Sequence, residues 1–119
     1  MTLAAHPFDF PIDLTDEIDR NVLAALREDI GKSDLTAELV PPENHSIATV
    51  LVREPAVICG IDWFNRCFAE IDPAIKINWL VGEGDHVGPD TVLCELYGTS
   101  RALLSGERAA LNFLQLMSG

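Results

Sequence analysis

The residues most able to do chemistry lie at the end of the chain, in Ser100-Arg101-Ala102-Leu103-Leu104-Ser105-Gly106-Glu107-Arg108-Ala109-Ala110-Leu111-Asn112-Phe113-Leu114-Gln115-Leu116. At about 100° per residue this stretch is an amphipathic helix. Leu103, Leu104, Ala110, Leu111, Leu114 and Met117 share one broad apolar face, and Arg101, Arg108, Asn112 and Gln115 fall on an adjoining stripe. Arg108 is thereby expected at the rim of the apolar face. From there a guanidinium can aim a planar two-pronged donor at a carboxylate or phosphate, or lie over its own helix and pair with a surface acid. Glu107 is expected within the apolar face, where a carboxylate needs a partner such as a backbone amide or Arg101.

The other reactive side chains form no comparable group. Cys59, Cys67 and Cys94 are odd in number and contain no C-x-x-C, so they read as small hydrophobes in a reducing compartment. His6, His45 and His86 are scattered, which argues against a zinc site. No Ser/His/Asp or Cys/His arrangement is legible, and no catalytic base or metal ligand is assigned. Gly82, Gly84 and Gly88 open no helix and match neither the dinucleotide nor the P-loop pattern. Val81 to Leu93 has the V-x-E-G-D-x-V rhythm of swinging-arm carrier modules, but Lys32 and Lys76, the sole lysines, lie in no exposed hairpin turn. The rhythm therefore signals a hammerhead-like β motif without a lipoyl or biotinyl group.

The elements that must position Arg108 follow from patterning. With 119 residues, 48% hydrophobic and 23% charged, the chain holds one core. Residues 1–14 read as an N-terminal arm with Phe8 and Phe10 between Pro7 and Pro11, and residues 15–119 as the domain. Thr15 can cap a helix carrying Ile18, Val22, Leu26 and Ile30 at helical spacing, with Gly31 as its end. A polar connection leads to strands at Ser46 to Arg53 and Ala56 to Cys59, a helix from Asp62 to Glu70, and strands at Ile75 to Leu80 and Thr91 to Tyr97. This order predicts an α+β fold: a small mixed sheet with helices packed on one side.

Net charge sets a further limit. At −11 the surface repels phosphate backbones and anionic lipid, which argues against nucleic-acid or membrane-surface partners. No apolar run is long enough to span a bilayer, and residues 1–11 do not have the form of a secretory signal, so a cytoplasmic location is expected.

Leu26-Arg27-Glu28-Asp29-Ile30-Gly31 with Asp34-Leu35-Thr36, Val57-Ile58-Cys59-Gly60, Gly82-Glu83-Gly84-Asp85, and above all Gly106-Glu107-Arg108-Ala109-Ala110-Leu111-Asn112-Phe113-Leu114 with Ser118-Gly119 resemble quinolinate phosphoribosyltransferase, also called nicotinate-nucleotide pyrophosphorylase (carboxylating). The resemblance runs in order over about residues 20–119. It implies an α/β-hammerhead-like sandwich as the N-terminal domain, followed in the family by an incomplete α/β barrel. It implies an enzyme that converts quinolinate and phosphoribosyl pyrophosphate, with Mg²⁺, to nicotinate mononucleotide, pyrophosphate and CO₂ in NAD biosynthesis. It implies a head-to-tail homodimer in which this domain caps the partner's barrel, and it assigns Arg108 to a quinolinate carboxylate. The Mg²⁺ ligands and phosphate loops of the family lie beyond Gly119, so this chain alone is expected to be inactive, and its exposed apolar surface to favour association. A sister family of molybdate-transport operons shares the architecture, and a nonenzymatic acidic interaction domain is the remaining alternative.

Overall fold

The computed structural model describes residues 14–119, with the backbone alone over residues 30–36. The arm over residues 1–14 therefore lies, except for Leu14, outside the described residues, as does His6. The described elements are helix α1 (Thr15–Ala37), strand β1 (His45–Val52), strand β2 (Ala56–Val57), helix α2 (Ile61–Ile71), strand β3 (Lys76–Trp79), strand β4 (His86–Val87), strand β5 (Thr91–Thr99) and helix α3 (Ser100–Met117).

Alternation builds the main sheet. β5 lies between β1 and β3 and pairs antiparallel with both. Ala48, Leu96 and Ile77 form one rung and Val50, Cys94 and Trp79 the next. These residues face the helices, whereas Ile47, Tyr97 and Lys76 stand on the outer face and are exposed. A bulge interrupts the ladder between Val50 and Leu51, so that Leu93 and Cys94, adjacent in sequence, are both fully buried. The carbonyl of Leu93 accepts from the Leu80 N–H at 2.8 Å. β2 and β4 form a separate two-stranded sheet, also antiparallel. The α+β fold with helices on one side is as expected. The strands, however, make two antiparallel sheets and not one mixed sheet: β1 and β3 both run opposite to β5, and β2 runs opposite to β4.

The helices fill the inner face. Val22 of α1, Phe64, Cys67 and Phe68 of α2, and Leu103, Ala110 and Leu114 of α3 meet Ile58, Leu93, Cys94 and Leu96 in the core. Phe64 stacks edge-on against Trp79, with ring centres 5.1 Å apart, and the Trp79 indole N–H donates to Asn65 Oδ1 at 2.7 Å. Arg66 joins α2 to α1 through Asp19 at 2.6 Å and reaches Glu70 on its own helix at 2.7 Å. The hydrogen bond to Asp19 raises the Arg66 pKa above its ordinary value.

One glycine behaves differently from expectation. α1 does not end at Gly31 but continues for six further residues to Ala37. Ala37 is buried, and Arg101 Nε donates to the Val40 carbonyl at 2.6 Å just past the helix end. Docking of that last turn outweighs the weak helix propensity of one glycine, about 1 kcal/mol. Gly98 lies in β5 opposite Ser46, where an added Cβ would lie 2.8 Å from Ile75 Cγ1.

Candidate functional site

Arg108 sits midway along α3, a helix anchored at both ends. At its start the Thr99 side chain accepts from the Ala102 N–H at 3.2 Å. Along its length Ala102, Gly106, Ala109 and Ala110 are buried against the rest of the domain. At its end Ser118 Oγ accepts from the Cys59 N–H at 3.0 Å and donates to the Cys59 carbonyl at 3.1 Å, and Gly119 pairs its backbone with Val57. A helix tied at both ends and along one side is a rigid platform for an outward-facing side chain.

The direction of that platform differs from the reading of the helix wheel. The Arg108 side chain is 68% exposed. It points about 160° away from buried Gly106 and Ala110, near the centre of the open face and not at its apolar rim. Glu107 is likewise exposed and requires no buried partner. It stands beside an apolar groove between β1 and α3, of about 540 Å³, formed by Ala48, Val50, Leu104 and Leu111 among others.

The polar stripe is divided three ways. Arg101 turns back onto the Val40 and Glu38 carbonyls and is a structural anchor for the end of α1. Gln115 borders the apolar groove. Arg108 and Asn112 stay together, in a cleft of about 380 Å³ between α1 and α3 whose opposite wall is Ala25, Glu28 and Asp29. Arg108 Nε lies 3.6 Å from Asp29 Oδ1, whose side chain is only 13% exposed. The nearest approach of this ion pair is at the Nε edge of the guanidinium.

With one cation and two acids the cleft carries a net negative charge. Arg108 can give one bidentate contact to a planar carboxylate, but further cations must come from elsewhere to hold a dianion. No group of three or more His, Cys, Asp or Glu side chains placed to hold a metal ion occurs among the described residues. Cys67 and Cys94 are free and buried, and desolvation pushes both thiols up to about 12, which leaves them protonated and inert as nucleophiles at neutral pH. No helix among the described residues is long and apolar enough to cross a membrane.

One functional support was missed by pattern reading. Glu83, in the Gly82-Glu83-Gly84-Asp85 turn, places its carboxylate on the first turn of α2, accepting from the Gly60 N–H at 3.0 Å and the Ile61 N–H at 3.0 Å. A side chain more than twenty residues away caps the helix, so no local capping signal existed.

Comparison with known proteins adds the identity of the domain. The family described as quinolinate phosphoribosyl transferase, N-terminal domain, matches residues 34–118. The chloroplastic nicotinate-nucleotide pyrophosphorylase [carboxylating] of Oryza sativa subsp. japonica is 31% identical over 118 residues, covering 98% of this chain and 32% of that protein. The mitochondrial quinolinate phosphoribosyltransferase [decarboxylating] 2b of Nicotiana tabacum is 34% identical over 117 residues, covering 97% and 31%. Among solved structures, the nicotinate-nucleotide pyrophosphorylase of Francisella tularensis superposes with a TM-score of 0.80 at 35% identity, covering 84% of this chain and 36% of that one. That of Ehrlichia chaffeensis superposes with a TM-score of 0.73 at 29% identity, covering 89% and 38%. The chain thus spans about a third of the length of the curated relatives it matches. With the matched region including β1 to α3 and the whole Arg108 helix, the chain belongs to the quinolinate phosphoribosyl transferase N-terminal domain family.

Proposed function

We propose that this domain serves a quinolinate phosphoribosyltransferase, forming nicotinate mononucleotide, pyrophosphate and CO₂ from quinolinate and phosphoribosyl pyrophosphate, and that Arg108 is its contribution to quinolinate binding. The observation that carries the reading is the exposed Arg108 guanidinium on a helix fixed at both ends, within a domain of this family. Quinolinate is a dianion, and loss of its 2-carboxylate builds negative charge beside the ring nitrogen. A guanidinium held rigidly in a water-poor site orients the acid and opposes that charge.

A dianion needs more cations than Arg108 supplies in this cleft, which favours completion by another polypeptide surface: the domain caps the barrel of a partner subunit in a head-to-tail homodimer and presents Arg108 across the interface. Mg²⁺, which would neutralise pyrophosphate, belongs in this reading to residues outside this chain. In this reading the protein works in the cytoplasm.

The test is quinolinate-dependent formation of nicotinate mononucleotide by the full-length polypeptide carrying this domain, wild type beside Arg108→Ala. Loss of a charge-paired contact predicts a fall in kcat/KM of about a hundredfold with the fold retained. An active enzyme indifferent to Arg108→Ala would return Arg108 to a surface role. An inactive wild type would favour the molybdate-operon sister family or a binding role.

A further inference from the structure

We propose that Asp29 is a positioning residue for the substrate contact: it holds the Arg108 guanidinium by its Nε edge and leaves the Nη pair to a planar carboxylate of the pyridine substrate. The inference rests on the reading of Arg108 as a quinolinate contact.

Three observations carry it. The two residues come from different helices, Asp29 from α1 and Arg108 from α3, so the pair spans a seam between elements. Their exposures are unequal. At 13% the Asp29 side chain is fixed within the seam, whereas at 68% the Arg108 side chain projects from it. Finally, Nε lies 3.6 Å from the Asp29 carboxylate, an attraction between charges and longer than a hydrogen bond. The nearest approach is thus at the Nε edge, which biases the direction of the side chain and leaves its two-pronged end facing outward in this proposal.

An exposed arginine has several rotatable bonds, and fixing them opposes ligand binding. A charge that already restrains the side chain reduces that cost. The same charge also repels an anionic substrate, so the two roles predict opposite signs. If Asp29 were only an acid near an anion, neutralising it would tighten binding. If it positions Arg108, neutralising it weakens binding.

The experiment measures KM for quinolinate, KM for phosphoribosyl pyrophosphate and kcat in the full-length polypeptide, for Asp29→Asn, Asp29→Glu and Arg108→Ala alone and combined. Asp29→Asn is isosteric and keeps the packing of the seam. It is expected to raise KM for quinolinate about threefold, the scale of a partly exposed ion pair, with kcat and the other KM within about twofold. Asp29→Glu keeps the charge and is expected to restore KM. In an Arg108→Ala background Asp29→Asn is expected to add nothing.

A KM for quinolinate that falls or stays unchanged in Asp29→Asn overturns the proposal. So does a rise of both KM values together, or a full additional effect in the Arg108→Ala background. If Arg108→Ala itself leaves quinolinate kinetics unchanged, the reading of Arg108 fails first and this one with it. If Arg108→Ala is impaired and Asp29→Asn is not, the positioning role alone fails.

Discussion

Ser118 clasps Cys59 from both sides: its hydroxyl accepts from the Cys59 N–H at 3.0 Å and donates to the Cys59 carbonyl at 3.1 Å. The contact ties the end of the Arg108 helix to the segment after β2, across a sequence separation of fifty-nine residues. Ser118→Ala removes one partner and leaves two partly buried backbone groups to find others. A loss of about 1–2 kcal/mol is expected, read as a lowered midpoint in urea unfolding with an unchanged slope. An unchanged midpoint would mean that the Gly119–Val57 pairing suffices by itself.

Glu83 performs a similar service for α2. Its carboxylate accepts from Gly60 and Ile61 where the helix dipole is positive. Glu83→Ala is expected to cost about 1 kcal/mol, and Glu83→Gln less, since the amide oxygen still accepts. Thermal unfolding of the three proteins side by side separates hydrogen bonding from charge. Equal loss in both variants would assign the whole effect to charge.

Gly106, two residues before Arg108, permits the closest approach of α3 to α2. A Cβ there would lie 2.8 Å from the Phe68 ring and 3.0 Å from Ile71 Cδ1. Gly106→Ala gains helix propensity of about 1 kcal/mol, and overpacking costs about 1–3 kcal/mol. Because the Phe68 ring is itself buried, the clash is expected to prevail, with net destabilisation of up to about 2 kcal/mol. A variant more stable than wild type by calorimetry would show that Phe68 yields freely.

The buried thiols make stability depend on alkaline pH. Burial raises Cys67 and Cys94 to about 12, whereas an unfolded cysteine ionises near about 8.5. Between those values the unfolded chain binds fewer protons than the folded one, so stability falls as pH rises. The contribution is intact below about pH 8.5, and each thiol removes about 1.4 kcal/mol per pH unit above it. Urea midpoints measured from pH 8 to 10.5 check the slope, and Cys67→Ala with Cys94→Ala should flatten it. At pH 8, iodoacetamide is expected to label half-buried Cys59 alone in the native protein, and all three cysteines after unfolding.

Large apolar residues made much of the fold legible in the sequence. β1, α2, β3 and β5 announce themselves through alternation or helical spacing, and Val22 and Leu114 fall in the core as their patterns require. The helix wheel failed at α3 because it weighs bulk. Leu104 and Leu111 pulled the expected apolar face toward the open groove, while the true contact face is centred on Ala102, Gly106, Ala109 and Ala110. Small residues permit close helix packing and contribute little to a hydrophobic pattern. That error alone turned Glu107 inward and Arg108 to the rim. The continuation of α1 beyond Gly31 and the Glu83 cap were illegible for another reason, since both depend on partners distant in sequence.

The bulge in β5 carries a consequence for how this domain tolerates change. It lets Leu93 and Cys94 both face inward, so the strand is read in two opposite phases on either side of it. Deleting Leu93 would leave a regular ladder with Leu51 and Val92 still outward, and would remove a fully buried side chain from the core. A one-residue insertion before Val92 would instead slide Thr91 past Val52 and leave the inner half of the strand in place. Length variation is thus asymmetric along nine residues: the Thr91 end is a permissive margin, and the stretch from Leu93 to Leu96 is a ruler against which the whole sheet is measured.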